Sequence, residues 1–359
     1  MYKYLIRPLA FRFSADLTHE TALNFGSAIS KYSPALKMAD MLYNYSTPSL
    51  EQVIQGMKFR NPVGLAAGFD KNGTLAPLMQ SIGFGFIEVG SITANPSAGN
   101  PKPRSFRLPE DQSIINRMGL NNDGVLTISR RLKKLSLDIP MGINIAKTHD
   151  PAITGEKALR DYKTSFDALK DIGDYFTINI SCPNTTEGKT FEDPESLDRL
   201  LNTLDIDRDS MLSPVLVKFS VDLSDELLAE LISVCEGHAI SGYVACNTSS
   251  KRNNLVTDQK KIAQIGSGGL SGKAIKKRST EIIYKIRSLT KGNKIVIGVG
   301  GISSGEDAIE KLKAGADLLQ IYTGMIYEGP AIIKKINKEI AEYLDKQGLK
   351  HIYELKKAR

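Results

Sequence analysis

Residues 294–324 read KIVIGVGGISSGEDAIEKLKAGADLLQIYTG, and this stretch holds one complete strand–helix–strand unit. Its two apolar runs, Lys294–Gly301 and Leu318–Gly324, are typical of strands buried on both faces of a parallel sheet. Ser303–Ser304 supplies helix-capping hydroxyls between them, and Gly315 is a typical helix stop. The stretch therefore predicts two parallel strands joined by a helix.

The same pattern recurs through the preceding part of the chain. Six more apolar runs of strand length occur there, and helix-like segments, such as the one that follows Ser224, separate them. The six runs are Val63–Ala67, Phe86–Ile92, Met141–Lys147, Tyr175–Ser181, Pro214–Ser220 and Gly242–Thr248. Eight such units predict an α/β protein with a closed (β/α)8 or TIM barrel. An open doubly wound sheet is the alternative, but it normally has fewer strands and an early GxGxxG motif, which this sequence lacks.

Composition excludes several classes of protein. The 359 residues are 41% hydrophobic and 24% charged, which is typical of a globular protein and not of a disordered, fibrous or membrane-spanning chain. Three cysteines without a CxxC pair argue against a disulfide framework or a structural zinc site. The net charge of +7 is spread along the chain without Lys/Arg runs, so no nucleic-acid partner is expected.

The ends of the predicted strands indicate where chemistry would occur. In a (β/α)8 barrel the catalytic residues lie at the carboxyl ends of the strands, and phosphate binds after strands seven and eight. The predicted ends are rich in amides and glycines, with two lysines in reach, Lys71 and Lys218. They contain no histidine and few carboxylates, so no metal site is expected.

Residues 1–50 differ from the rest and are predicted to form a helical lobe in front of a barrel of residues 51–359. Pro8 is expected to kink a first helix, a second is predicted over Thr18–Ser30, and a third begins at Ser33-Pro34. Basic and apolar side chains occur together in this lobe. Two interpretations follow from the residues alone: packing across the bottom of the barrel, or a membrane-facing tunnel.

Seven motifs in fixed order resemble those of the dihydroorotate dehydrogenases. They are NPVGLAAGFDK (61–71), GNPKPR (99–104), FRL (106–108), INRMG (115–119), NISCPN (179–184), GLSG (269–272) and GVGG (298–301). The helical extension makes the chain similar to the quinone-linked, membrane-associated class 2 branch. This resemblance implies FMN as cofactor and the oxidation of dihydroorotate to orotate in pyrimidine synthesis.

The resemblance also implies a cofactor site and a substrate site. Glycines after strands seven and eight would let backbone N–H groups approach a phosphate. The implied FMN contacts are Ala67, Gly68, Phe69, Asp70, Lys71, Ser91, Asn144, Asn179, Lys218, Cys246, Gly272, Gly301, Tyr322 and Thr323. The implied substrate contacts are Lys71, Asn116, Arg117, Met118, Gly119, Leu120, Asn179, Asn184, Asn247 and Thr248.

Cys182 is the implied catalytic base, which removes the proton from C5 of dihydroorotate while a hydride leaves C6. Class 2 members usually carry serine at this position and phenylalanine at the position of Leu120, whereas cysteine and leucine are typical of soluble class 1 enzymes. The alternative is therefore a soluble class 1-type enzyme that uses fumarate or a NAD-linked partner subunit. Segment 185–194 is expected to close over the substrate.

The class 2 resemblance implies a quinone site formed by His19, Arg107 and Tyr322. It also implies peripheral association of residues 1–50 with the cytoplasmic face of a bacterial inner membrane, with no obligate protein partner. A non-catalytic barrel that binds a phosphate ligand is a more distant alternative, because a fold does not fix a function.

Overall fold

The computed structural model describes residues 2–181, 191–206 and 213–356. Its strands are β1 (Gln52–Ile54), β2 (Met57–Phe59), β3 (Val63–Leu65), β4 (Phe86–Ile92), β5 (Ser105–Leu108), β6 (Ser113–Asn116), β7 (Met141–Ile145), β8 (Tyr175–Asn179), β9 (Val215–Phe219), β10 (Gly242–Ala245), β11 (Gly269–Gly272), β12 (Ile295–Val299) and β13 (Leu318–Ile321). Strands β3, β4, β7, β8, β9, β10, β12 and β13 form a closed parallel barrel in chain order, and β13 pairs with β3. Each lies within one of the eight predicted runs, so the (β/α)8 barrel is confirmed.

The helices lie mostly between the barrel strands. They are α1 (Arg7–Ala10), α2 (Ala15–Ile29), α3 (Ser33–Tyr43), α4 (Ala76–Ser81), α5 (Val125–Leu132), α6 (Gly155–Leu169), α7 (Pro194–Leu204), α8 (Asp225–Glu236), α9 (Gln259–Ile265), α10 (Lys276–Leu289), α11 (Gly305–Ala314), α12 (Thr323–Glu328) and α13 (Ile332–Lys346). Short π or 3₁₀ turns cover Tyr2–Ile6, Pro48–Leu50, Lys273–Ile275 and Ile352–Lys356. The predicted capping residues are confirmed, because Ser224 caps α8, Ser304 caps α11, and left-handed Gly315 ends α11.

Aromatic rings fill the lower half of the barrel. A Cβ at Gly64 would lie 2.3 Å from the Phe86 ring, and a Cβ at Gly142 would lie 2.0 Å from the Tyr175 ring. These two glycines therefore make room for rings on neighbouring strands. Phe59, at the end of the β1–β2 hairpin, packs edge-on against Phe86 with 5.5 Å between the ring centres. The hairpin closes this end of the barrel, so the interpretation that residues 1–50 pack there is wrong.

The N-terminal helices lie instead beside the carboxyl ends of the barrel strands. Helix α2 packs against β5 and α4, and α3 packs against α4. At Gly26 a Cβ would come within 2.8 Å of Leu75, which shows how closely α2 approaches the barrel. The first residues contact α12, where the Tyr2 hydroxyl donates to the carbonyl of Ile326 at 2.7 Å and Arg7 Nη1 donates to that of Tyr327 at 3.0 Å.

The predicted helices in this region agree with the structure in part. Helix α2 begins at Ala15, three residues before Thr18, because the Ser14 hydroxyl accepts from the N–H of Leu17 and caps the helix earlier. Helix α3 begins at Ser33, as predicted, although Tyr32 and not Ser33 occupies the cap position. Pro8 lies in the first turn of α1, which directly continues the π turn Tyr2–Ile6, and the predicted kink stays a prediction.

No helix within the described ranges is both long enough and apolar enough to cross a lipid bilayer. The division of the chain at residue 50 stays a prediction. Nevertheless α2 is joined to the barrel side by a specific polar contact: the buried Asp16 carboxylate accepts a hydrogen bond of 2.9 Å from the backbone N–H of Arg104.

We predict that Asp16→Ala loosens the N-terminal helices without unfolding the barrel. Loss of the carboxylate leaves a buried N–H without a partner, which costs about 1–3 kcal/mol. Amide hydrogen exchange across α2 should then accelerate by roughly tenfold or more, while barrel strands keep their protection. The control is Glu20→Ala, which removes an exposed ion pair with Lys102 and should change little. Equal effects of the two substitutions would contradict the proposed anchor.

Candidate active site at the barrel mouth

One cavity of about 1040 Å³ begins at the carboxyl ends of the barrel strands and continues among α2, α3 and α4. Its barrel end is polar and glycine-rich, and its helical end is apolar. The predicted site residues that line it are His19, Ala67, Gly68, Phe69, Lys71, Ser91, Arg107, Asn116, Met118, Gly119, Leu120, Asn179, Lys218, Cys246, Asn247, Thr248, Gly272, Gly301, Tyr322 and Thr323. The described residues that were predicted to bind the cofactor, the substrate and the quinone therefore include members of all three sets that line the same cavity.

Amides and hydroxyls form the floor of the polar end. Asn179 Nδ2 donates to Ser91 Oγ at 3.0 Å, and the Ser91 hydroxyl donates to the Asn144 carboxamide oxygen. Asn247 Nδ2 donates to the backbone carbonyl of Ser181 at 2.7 Å and to Asn179 Oδ1 at 3.3 Å. These contacts hold several side chains of different strands in fixed orientations.

Glycines form a backbone turn at one side of the floor. Gly272 (φ +95°), Gly300 (φ +117°) and Gly301 (φ +72°) have left-handed backbones that favour glycine. A Cβ at Gly301 would lie 2.5 Å from Cβ and 2.7 Å from Cα of Lys276. Such a turn brings backbone close to whatever fills the cavity, as a phosphate cradle requires.

A buried lysine supports this turn from behind. Lys311 Nζ donates to Ser279 Oγ at 2.9 Å, and Ser279 Oγ donates to the carbonyl of Val299, directly before Gly300, at 2.5 Å. Burial lowers the pKa of Lys311 to about 8. The sequence analysis did not identify Lys311, because its helical position resembles that of any surface lysine.

Two lysines face the polar end of the cavity. Lys71 Nζ donates to the carbonyl of Gly68 at 2.7 Å. Burial, followed by the charge of Arg104, lowers the pKa of Lys71 to about 8. Lys218 lies on the interior face of β9 and is only 5% exposed. An anionic ligand would compensate for the burial of these cations.

The loop after β6 forms the opposite wall. Leu120 has a left-handed backbone (φ +52°), which is rare for a leucine, and Asn122 Nδ2 donates to its carbonyl at 2.7 Å. Asn116 Nδ2 donates to the carbonyl of Gly269 at 3.3 Å, so β11 holds this side chain at the cavity. This wall carries the residues implied for the substrate.

Three aromatic rings line the passage between the polar and apolar ends. Phe69 makes edge-to-face contacts with His19 and Tyr322, at centroid distances of 5.9 Å and 5.3 Å. Burial, with a smaller effect of the charge of Lys71, lowers the pKa of His19 to about 4. His19 is therefore neutral at physiological pH, and its enclosed Nε2 has no hydrogen-bond partner among the described residues.

Arg107 lies at the side of the apolar end. Its guanidinium stacks over the Phe11 ring at 4.4 Å and donates from Nη1 to the carbonyl of Ala10 at 3.2 Å. A second bond joins Nη2 to the carbonyl of Phe13. Arg107 thus connects β5 to the first helical residues while it lines the cavity.

Three predicted contact residues lie behind the cavity wall. The Asp70 carboxylate accepts from the N–H groups of Thr74 at 2.9 Å and Leu75 at 2.7 Å, so it shapes the turn after β3. Asn144 is fully buried beneath Ser91. Arg117 donates to the carbonyls of Ile265 and Ser267 and stacks over Phe106. A direct ligand contact of these side chains has no support in this arrangement.

Cys182, Asn184 and residues 185–190 of the predicted closing segment lie outside the described residues. Ser181, the last described residue before this gap, is held at the cavity floor, because its Oγ donates to the carbonyl of Lys218 at 3.1 Å.

Polar groups inside the barrel were not predicted. Glu88 is fully buried and accepts hydrogen bonds from Asn144 and Gln320. The sequence signal is a glutamate within FIEVGSI of β4 and a glutamine within LLQI of β13. Polar side chains buried in a barrel require hydrogen-bond partners, so such residues indicate a polar layer inside the barrel.

Comparison with known proteins identifies the family. A family model described as "Dihydroorotate dehydrogenase" matches residues 49–344, which is most of the chain. The chain belongs to the dihydroorotate dehydrogenase family. Membership of this family implies a flavin cofactor. The polar floor and the glycine turn of this dihydroorotate dehydrogenase suit such a group, because they offer amide edges and exposed backbone within one cavity.

Individual relatives agree with this assignment. "Dihydroorotate dehydrogenase (quinone)" of Christiangramia forsetii is 46% identical over 346 residues, covering 95% of this chain and 99% of the relative. The protein with the same name from Gloeobacter violaceus is 41% identical over 351 residues, covering 97% and 96%. The crystal structure of DHODH in complex with ferulenol from Eimeria tenella superposes with a TM-score of 0.84 at 28% identity, covering 97% of both chains.

We predict that Gly301→Ala lowers the flavin content of the purified protein. Alanine at this left-handed position adds a collision with the backbone of Lys276, so the turn must move. The control is Gly292→Ala, which has a similar φ (+82°) but no heavy atom within 4 Å of the added Cβ. Bound flavin is measured by absorbance and stability by thermal unfolding. Gly301→Ala should be about 1–3 kcal/mol less stable than Gly292→Ala and should therefore unfold at a lower temperature. It should also retain less flavin. Equal flavin content would contradict a role of this turn.

Proposed function

We propose that this chain catalyses the oxidation of dihydroorotate to orotate in pyrimidine biosynthesis, with FMN as cofactor and a quinone as final electron acceptor. The observation that carries the proposal is the continuous cavity, polar at the barrel mouth and apolar among the N-terminal helices, in a member of this family. The near full-length similarity to proteins named as quinone-linked supports the acceptor.

FMN fits the polar end of the cavity. The glycine turn at Gly300–Gly301, with Gly272 opposite, would hold a single phosphate, and Ser91 and Asn179 would bind the polar edge of the ring system. When bound, FMN supplies the hydride acceptor of the reaction. Lys218 would provide a positive charge beside the ring from the interior of the barrel.

The substrate would bind above this floor. Asn116, Asn247 and Thr248 present donors and acceptors that suit the alternating N–H and C=O groups of dihydroorotate. Lys71 would bind its carboxylate, because an ammonium group held against a carbonyl in a poorly solvated site attracts an anion. These side chains would orient the ring for proton removal at C5.

Cys182 would remove that proton. It lies three residues after the end of β8 in the sequence, and the preceding residue, Ser181, is anchored through its hydroxyl to Lys218 and through its carbonyl to Asn247. A thiol near the substrate is a suitable base, because a small fraction is ionised at neutral pH. The two other cysteines are poorer candidates, since burial raises the pKa of Cys246 to about 11 and that of Cys235 still further.

The quinone would enter through the apolar end. The helical lining includes Phe25, Ile29, Met38 and Leu42, and the passage reaches the barrel at His19 and Tyr322. Neutral His19, in the tautomer with the proton on Nε2, could donate a hydrogen bond to a quinone oxygen, because its enclosed Nε2 has no partner among the described residues.

Membrane association is supported by the outer surface of the same helices. Tyr4 is 84% exposed and Met41 is 81% exposed, and further exposed apolar side chains accompany them. Leu5 and Leu9 lie outside the cavity lining, and Phe13, Leu17, Phe25 and Leu42 are exposed while they also line the cavity. Apolar side chains concentrated around a cavity opening favour peripheral contact with a lipid surface from which a quinone could enter.

We predict that Cys182→Ala slows reduction of the bound flavin by dihydroorotate at least about 100-fold, because general-base catalysis is lost. The flavin content should stay normal. The control is Cys235→Ala, on the buried face of α8, which should leave the reduction rate within about twofold of wild type. Anaerobic stopped-flow absorbance measures both. Near-normal reduction in Cys182→Ala would remove Cys182 from the role of base.

We predict that orotate binds more weakly as the pH rises through the pKa of Lys71, about 8. The carboxylate requires the protonated amine, so the fraction of competent protein falls above that pH. Between pH 7 and pH 9 the dissociation constant should increase by roughly tenfold. Lys71→Arg keeps its charge over this range and should give a nearly flat profile. Calorimetric titration of the holoenzyme measures both, and identical profiles would contradict the assignment.

A further inference from the structure

A carboxylate lies inside the barrel, below the cavity. Glu88 has no exposed surface, and four donors from three other strands converge on it. Oε2 accepts from the Tyr175 hydroxyl at 3.1 Å, the Thr177 hydroxyl at 3.2 Å and Gln320 Nε2 at 2.6 Å. Oε1 accepts from Asn144 Nδ2 at 2.8 Å. Two of these contacts lead towards the cavity: Gln320 lines it, and Asn144 reaches it through Ser91.

The contact with Asn144 is the first link of a hydrogen-bond chain that leads to the cavity floor. Asn144 directs its N–H groups to Glu88, so its oxygen faces Ser91 and accepts from that hydroxyl. Ser91 Oγ then accepts from Asn179 Nδ2, and Asn179 Oδ1 accepts from Asn247 Nδ2. Every donor in this chain therefore points away from the cavity and towards the carboxylate.

The direction at Asn144 is set by Glu88, because the two carboxyl oxygens accept all four of these hydrogen bonds. A reversed Asn144 would set two oxygen acceptors against each other at 2.8 Å. Without this anchor, the Asn144 carboxamide could present either its oxygen or its nitrogen to Ser91 at similar cost. A reversed carboxamide would donate to Ser91 Oγ and turn the Ser91 hydroxyl proton towards the ligand. Asn179 and Asn247 are held in addition by the backbone of Ser181 and Thr248.

We propose that Glu88 is a positioning residue for the cofactor: through Asn144 it fixes the direction of the Ser91 hydroxyl, and thereby the polar group that this part of the cavity floor offers to FMN. Glu88 itself does not line the cavity. The inference rests on the proposed function, since it takes this floor as the flavin-binding surface. If Glu88 had only a structural role, each variant would lose FMN affinity in proportion to its loss of stability.

Three variants separate these roles. Glu88→Leu removes the acceptor. Glu88→Gln restores it, because Gln320 Oε1 is buried without a hydrogen-bond partner among the described residues and can accept from the new amide. Tyr175→Phe is the matched control, since it removes a donor from the side of the carboxylate that faces away from Asn144 and keeps the ring that fills the barrel.

The experiment titrates apoprotein of each variant with FMN, follows flavin fluorescence and absorbance, and records thermal unfolding of the apoprotein. We expect the FMN dissociation constant of Glu88→Leu to increase by roughly tenfold or more, with an altered flavin spectrum. Glu88→Gln and Tyr175→Phe should stay within about threefold of wild type, even where Tyr175→Phe loses stability.

Unchanged FMN affinity in Glu88→Leu would overturn the inference, as would an equal loss in Tyr175→Phe. If Glu88→Leu does not fold, Glu88→Met is tested in its place. Failure of both variants to fold would show that Glu88 is needed for folding alone and would also overturn the inference. Wild-type apoprotein that does not bind FMN would instead overturn the proposed function, and the inference with it.

Discussion

The hydrogen bonds of the buried Glu88 carboxyl group tie four strands of the barrel together. The group on β4 has no exposed surface, so its hydrogen bonds come from three other barrel strands, β7, β8 and β13. Each donor reaches Glu88 only if its strand has the observed register. Below this layer the Phe86 and Tyr175 rings fill the barrel, and above it the amides of the floor begin. The polar layer thus joins a packed core to a binding surface.

The two ends of the cavity differ in polarity and in charge. At the barrel mouth, cations and amides from rigid strands suit an anionic, amide-rich ligand, and Lys71 is held there with a lowered pKa. Among the N-terminal helices the lining is apolar, and burial keeps His19 neutral. Phe69 contacts both His19 and Tyr322 at the junction. This arrangement fits a reaction in which a polar substrate and an apolar electron acceptor use the same cofactor from different directions.

The barrel could be predicted because its strands are buried on both faces and therefore read as continuous apolar runs, such as Tyr175–Asn179. Helix limits were predictable where a serine cap stands before the apolar pattern, as at Ser224 and Ser304. The start of α2 was predicted three residues late, because the Ser14 hydroxyl caps the helix ahead of Thr18.

Much of the candidate site was predictable, because strand ends and family motifs indicate which positions lie at the cavity even when the contacts of each side chain are unknown. The orientation of side chains was not: Asp70 and Arg117 belong to matching motifs, yet both turn to backbone partners behind the wall. Glu88 was missed for a related reason. A local pattern shows that a charge lies within an apolar strand, but its partners come from strands far away in sequence.

The central claim is that the helical extension delivers a quinone to a flavin at the barrel mouth. The most direct test is steady-state oxidation of dihydroorotate by the full-length protein in detergent, with a short-chain quinone, fumarate and NAD⁺ compared as acceptors. The account predicts that turnover with the quinone is dominant. Dominant turnover with fumarate or NAD⁺ would contradict it and would favour the class 1-type chemistry that Cys182 and Leu120 resemble.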